Sequence, residues 1–316
     1  MRVDDLTFAA ADLAESDAKV APIAFVDLAR ESGDFPEIRL PPCPVIGIGP
    51  RDHALAARLD AVLEPRFDAA QLALAAKTQP LAAAVVTQAL RVIPALAIED
   101  ALNVESLAYA TLQGSESHRC WLARRGGGAG GGEGMVLLDR ADAELTVTLN
   151  RPEAGNAIDR PMRDALHEAF ALVNMDTTIR RVVLRAEGKA FSLGAELSEF
   201  GTTTDPAEAH RIRGLTLPAR EAALCGDRLE ARIDGACIGA GLELAAFAAR
   251  IVATPRSWFQ LPELAMGILP GAGGCVSLSR RIGRQRTLLM VLSGRRLGAR
   301  EALDWGLVDA VVDELP

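Results

Sequence analysis

The chain has 316 residues, of which 49% are hydrophobic, and a formal net charge of −8. That content supports a large buried core and excludes wholesale disorder, while the acidic balance excludes a nucleic-acid partner, which demands a basic face to neutralise phosphates. The N-terminus MRVDDLTFAAADLAESD lacks a basic region followed by an apolar run, and no stretch reaches the ~18 apolar residues of a membrane span, so the sequence reads as cytoplasmic, with no membrane association.

Taken in chain order, PIAFVDLA and PVIGIG, bounded by Pro and Gly, predict two short strands between residues 20 and 50. From Ala54 to Arg125 the pattern turns helical and alanine-rich. Pro80 is placed as a first helical residue, with Leu81, Val85, Val86, Leu90 and Ile93 at helical spacing behind it. Pro94 interrupts, a second helix is expected from about Ala97 to Leu112, Gly114 ends it, and SESHRCWLARR forms a short last helix. Gly126–Gly134, GGGAGGGEG, lacks the Lys-Ser/Thr of a phosphate-binding loop and reads as a flexible linker. It divides the chain into an N-terminal segment, 1–125, and a second domain, 135–316. In the latter, Leu145–Leu149, Val182–Leu184 and Leu229–Ile233 predict strands, and Arg163–Val173 an amphipathic helix. Ala240–Arg250, apolar nearly all round, predicts a buried helix. Strands alternating with helices give an α/β fold.

The five cysteines, Cys43, Cys120, Cys225, Cys237 and Cys275, form no CxxC pair, and none of the four histidines lies at metal-ligand spacing from them. They read as free thiols in a reducing compartment, and no metal site is expected. Glu243 is different. It lies inside the apolar run GLELAAF with no cation nearby in sequence, and burial there raises a carboxyl pKa and makes the group a proton carrier.

Three glycine-rich segments stand in order: KAFSLGAELSEF (Lys189–Phe200), IDGACIGAGLEL (Ile233–Leu244) and FQLPELAMGILPGAGG (Phe259–Gly274). Together with NRPEAGNAID (Asn150–Asp159) and LSGRRLGAREALDWGLVDAVV (Leu292–Val312), they resemble the crotonase family of enoyl-CoA hydratases and isomerases from near Leu145 to about Glu314. The resemblance implies a crotonase-type ββα spiral core behind a largely helical N-terminal segment. It implies an acyl-CoA thioester substrate, with no cofactor beyond the coenzyme A that the substrate carries. Charge developing on the thioester oxygen needs two preorganised donors, and the resemblance assigns these to the backbone N–H groups of Ala195 and Ala240, with Gly194 and Gly239 allowing close approach. Glu243 and Glu263, the latter following Pro262, match the family's two acids. Water activation is assigned to Glu243 and protonation of C2 to Glu263, with exchange of roles left open. Lys189, Ala190, Ser192, Leu193, Gly194, Glu196, Leu197, Gly239, Pro262 and Gly271 are implied as coenzyme A or substrate contacts.

The leading reading is hydration of a trans-2-enoyl-CoA. The alternatives are an isomerase, thioesterase or decarboxylase on the same fold, and a catalytically weak binding protein. Glu196 replaces a usual Asp, Ala240 a frequent Gly, and Leu193 a smaller residue. The family's C-terminal helices do not follow Val312, but residues 79–125 resemble such a tail. They are expected to cover the domain, in the same chain or on a neighbour within a homotrimer or dimer of trimers, as in a permuted or truncated tandem arrangement.

Overall fold

The computed structural model describes residues 2–14, 17–33, 38–125 and 132–316. The first apolar runs form a small parallel sheet of β1 (Ala24–Asp27), β2 (Val45–Ile48) and β3 (Ala61–Val62), in that order. The helices α1 (Ala69–Thr78), α2 (Pro80–Val92), α3 (Ile98–Gln113) and α4 (Glu116–Arg124) follow. Helix α2 does start at Pro80, and α4 is capped by Ser115 Oγ, which accepts from His118 N. Two expectations are corrected. Residues 54–60 form turns, not helix, and lead into β3, because Leu55, Leu59 and Val62 are needed in a small core beneath the parallel sheet. Along α2, Leu81 is exposed; the buried stripe is Ala82, Ala83, Val86, Ala89 and Leu90.

The expected linker lies outside the described residues at 126–131, and its last residues are tied down. The carbonyl of Gly132 accepts from Arg151 Nε at 2.7 Å, and Gly134 N donates to Asp159 Oδ2 at 2.8 Å. Then come β4 (Met135–Ala141), β5 (Glu144–Asn150), α5 (Arg160–Met175), β6 (Arg181–Ala186), α6 (Pro206–Thr216), α7 (Ala219–Leu224), β7 (Leu229–Ile233), β8 (Ala236–Ile238) and α8 (Ala240–Ala245). The chain continues through β9 (Arg250–Ala253), β10 (Trp258–Gln260), α9 (Gly274–Ile282), α10 (Arg284–Ser293), β11 (Leu297–Gly298), α11 (Ala299–Asp304) and β12 (Ala310–Val311). A six-stranded sheet runs β12-β9-β7-β6-β5-β4, parallel except for the β4–β5 hairpin, and a second sheet runs β11-β10-β8. The burial of Leu145, Val147 and Leu149 on β5 alternates. The run Val182–Leu184 on β6 is buried on both faces. Helix α5 turns Met162, Leu166, Ala169, Phe170 and Val173 inward from an N-cap in which Asp159 accepts from Met162 N. The expected helix from Ala240 to Arg250 ends at Ala245, because the chain must turn to bring Arg250–Ala253 alongside β7.

The front helices pack on the second domain in the same chain. Helices α1 and α2 lie on α10, α3 lies on α6, α7 and α9, and α4 meets the turn Glu263–Met266. One hydrophobic core accordingly contains residues from both parts. A polar hub fastens the small sheet to α2 and α10. Asp60, fully buried, accepts from Val45 N at 2.9 Å and from Arg91 Nε and Nη2 at 2.8 and 2.6 Å, and Arg284 stands 3.8 Å away.

Asp60→Ala is expected to destabilise the fold by about 2–4 kcal/mol, because it leaves the Arg91 guanidinium and a backbone N–H without their acceptor. Urea unfolding checks this; a midpoint equal to that of the parent would show that the hub contributes nothing.

Candidate active site

The second and third glycine-rich segments meet where β8 ends. The chain turns sharply at Gly239, whose φ of 47° and ψ of −126° suit glycine alone, and enters α8 at Ala240. A Cβ at Gly239 would lie 2.6 Å from Glu263 Oε1, so its absence gives that carboxyl its place. Beside this turn runs the loop after β6. Ser192 N donates to Ala236 O at 3.0 Å, Ile238 N to Ser192 O at 2.9 Å, and Ser192 Oγ to Asn156 O at 2.8 Å. Gly194 follows with φ 96°. Ala195 is bridged to Ile158 through Gly194 O and Glu196 N, which turns its own N–H to the opposite side. Ala240 is the first residue of α8, where N–H groups have no intrahelical acceptor. Among the described residues, no protein acceptor is recorded for either N–H.

Both residues line a cleft of about 790 Å³, together with Glu243 and Glu263. The two acids differ in their surroundings. Glu243 sits one turn into α8, where its Oε2 accepts from Ala272 N at 2.7 Å and Gly274 N at 2.9 Å. Burial pushes its pKa up to about 7, against the lowering effect of those two hydrogen bonds. Glu263 follows β10 in a short turn, and its Oε2 is buried without a hydrogen-bond partner among the described residues. Burial raises its pKa well above the ordinary range, and the charges of Glu243 and then Glu105 raise it further.

Of the expected substrate contacts, Leu193, Gly194, Glu196, Leu197, Gly239, Pro262 and Gly271 line the cleft. Lys189, Ala190 and Ser192 do not: Lys189 is exposed elsewhere, and Ser192 is buried as a brace between two loops. Glu196 accepts from Arg151 Nη1 at 2.8 Å and Ser198 N at 2.9 Å, and the Ser198 N–H is the first cause of its lowered pKa. The sequence reading expected residues 79–125 to cover this domain but named none of their side chains in the site. Tyr109, Gln113 and His118 form one wall, with His118 Nδ1 2.8 Å from Met266 O. It also missed Arg160, Arg163 and Arg213, which bring positive charge to the cleft. The helical spacing of α3 and the first turn of α5 were visible, but nothing local tells which cation a fold turns toward a cleft.

Comparison with known proteins agrees with this arrangement. Residues 140–315 match the family described as enoyl-CoA hydratase/isomerase. The chain is 36% identical over 178 residues to a mevalonyl-coenzyme A hydratase of Beauveria bassiana, covering 54% of this chain and 64% of that protein. It is 35% identical over 176 residues to a 2,3-dehydroadipyl-CoA hydratase of Escherichia coli, covering 56% and 68%. Among solved structures, an enoyl-CoA hydratase from Thermoplasma volcanium aligns with a TM-score of 0.51 at 35% identity, over 57% of this chain and 72% of that one. With more than half its length matched, and with the glycine turns and paired acids meeting at one cleft, the chain belongs to the enoyl-CoA hydratase/isomerase family.

Proposed function

We propose that the protein hydrates a trans-2-enoyl-CoA thioester, with Glu243 as base, Glu263 as acid and the N–H groups of Ala195 and Ala240 as the oxyanion hole. The observation that carries this reading is the unequal environment of the two acids. Near neutral pH, a carboxyl at about 7 is substantially ionised and able to take a proton from water. Glu263, raised well above the ordinary range and with one oxygen unpartnered among the described residues, favours its protonated form and is able to give one. Water loses a proton to Glu243 as its oxygen bonds to C3. The C2–C3 π electrons pass to the thioester oxygen, which the two N–H groups stabilise, and Glu263 then delivers its proton to C2 as the enolate collapses. Hydration is also what the names of the two relatives above state for those proteins. Arg160 and Arg163 at the cleft supply positive charge suited to coenzyme A phosphates.

Assembly as a homotrimer or dimer of trimers belongs to the same proposal. The front helices leave Leu74, Leu81, Val92, Ile98 and Leu107 exposed, which favours coverage by a neighbouring copy. Light scattering should give a trimer or hexamer mass; a monodisperse monomer would refute this part.

Glu243→Gln and Glu263→Gln are each expected to lower kcat by about 10²–10⁴-fold with little change in KM. Loss of enoyl absorbance and release of free thiol, followed in parallel, separate hydration from thioester hydrolysis. If the Glu263 variant keeps its rate, the two-acid scheme fails.

The pH dependence has opposite signs for rate and stability. As a base, Glu243 must be ionised, so kcat/KM should rise with pH and level off above about 7. Its folded pKa lies above its ordinary 4.5, so between those values the folded state holds more protons than the unfolded one, and stability falls as pH rises through that window. Glu243→Gln should remove this contribution and melt higher than the parent at pH 8. A parent rate already flat at pH 5 would rule out Glu243 as the base.

A further inference from the structure

A third carboxylate reaches the site from the front segment. Glu105, on α3, is buried, and its Oε1 accepts from Gly273 N at 2.6 Å while its Oε2 accepts from Val276 N at 3.2 Å. These donors alternate with the two that hold Glu243, namely Ala272 N and Gly274 N. The turn Gly271–Gly274 therefore lies between two acids, each taking every second N–H or nearly so.

That turn has no side chain with which to hold itself. A Cβ at Gly271 would lie 2.1 Å from the Tyr109 ring, and one at Gly274 would lie 2.5 Å from Glu243 Cγ, so both positions must stay bare. The N-cap of α9 is Gly273, in the left-handed region at φ 105°, and no side-chain cap is made from within the turn. A helix start of this kind leaves N–H groups that need an acceptor. Here the acceptor is supplied by a residue 168 positions away in sequence. Because α3 is anchored independently, the turn takes its position from that helix. Arg213 Nε and Nη2 donate to Ser106 Oγ and O, and Arg220 reaches Asn103 and Glu99.

We infer that Glu105 is a positioning residue. It fixes the Gly271–Val276 turn so that the remaining N–H groups of that turn hold Oε2 of Glu243 and leave its other oxygen to face the cleft. This inference rests on Glu243 acting as proposed above. It also makes the front segment part of the catalytic apparatus rather than a cover only. The charged and titratable groups that interact with Glu105 are Glu243 on α8, Glu263 after β10, Arg213 on α6 and Cys275 on α9. Burial, and then the charge of Glu243, raise the pKa of Glu105 itself well above the ordinary range.

The test compares full-length Glu105→Gln, Glu105→Asp and Glu243→Gln with the parent. Glutamine fills the same volume but sets an NH₂ against one backbone N–H. It is expected to lower kcat by about 10-fold, less than the roughly 10²–10⁴-fold carried by a general acid–base group itself, with KM within about threefold. Aspartate keeps both oxygens on a shorter arm and should lose less. If glutamine prevents folding, an intermediate kcat loss at steady KM in the aspartate variant supports the inference, and an unchanged kcat overturns it. A folded Glu105→Gln protein with a lower melting temperature but parental kcat would make Glu105 a structural cap only. An active Glu243→Gln control would overturn the hydration scheme itself, and this inference with it. Loss in that control beside parental activity in both Glu105 variants would overturn this inference alone.

Discussion

Three carboxyl groups withdrawn from water around one glycine turn set the terms for the rest of the molecule. Glu105, Glu243 and Glu263 are all buried, and burial is the first cause of the raised pKa of each. Isolated, such groups would cost several kcal/mol each to desolvate as anions. The structure offsets part of that with backbone N–H donors, two for Glu243 and two for Glu105, and leaves one oxygen of Glu263 unmatched. The inequality matters more than the average. An acid whose anion is partly solvated by the backbone and an acid whose anion is not give up their protons unequally, and the proposed hydration uses one as base and the other as acid.

The same constraint explains why glycine and alanine crowd this region. In the proposed mechanism the oxyanion donors are backbone groups aimed into the cleft, and a backbone group approaches closely only where side chains are small. Gly239 lets the chain reverse between β8 and α8 while clearing space for Glu263. Ala240 needs nothing more than its N–H, so its methyl group is compatible with the proposed role. Glu196 in place of the usual aspartate is likewise accommodated: its longer arm reaches both Arg151 and the Ser198 N–H, bracing the loop that presents Ala195.

Much of this was legible in the sequence, and the limits have identifiable causes. Strands β5, β6 and β7 and helix α5 were readable because their apolar positions follow one period over several residues. Strand β3, two residues long, exists only because β2 offers it an edge, and no local pattern encodes that. Glu243 was readable because an acid inside an apolar run is anomalous. Glu105 was not, because LNVESLAY on an amphipathic helix reads as an acid on a solvated face, and its acceptor role depends on N–H groups far along the chain. Lys189 does not line the cleft, whose positive charge comes from Arg160 and Arg163 on α5 and from Arg213 on α6.

The order of the segments along the chain is therefore secondary to where they dock. The site needs a helix that presents an acceptor to the start of α9, aromatic and polar groups that close one wall, and an anchor that keeps that helix in register. Residues 98–125 meet all three needs through Glu105, through Tyr109 with His118, and through the Arg213 and Arg125 contacts. Nothing in those interactions depends on whether the helix precedes or follows the sheet in sequence. What matters is that α3 is tied to α6 and α9 on one side and, through α2 and Asp60, to the small parallel sheet on the other. A shift of α3 by half a helical turn, roughly 3 Å, would withdraw Glu105 from both its donors.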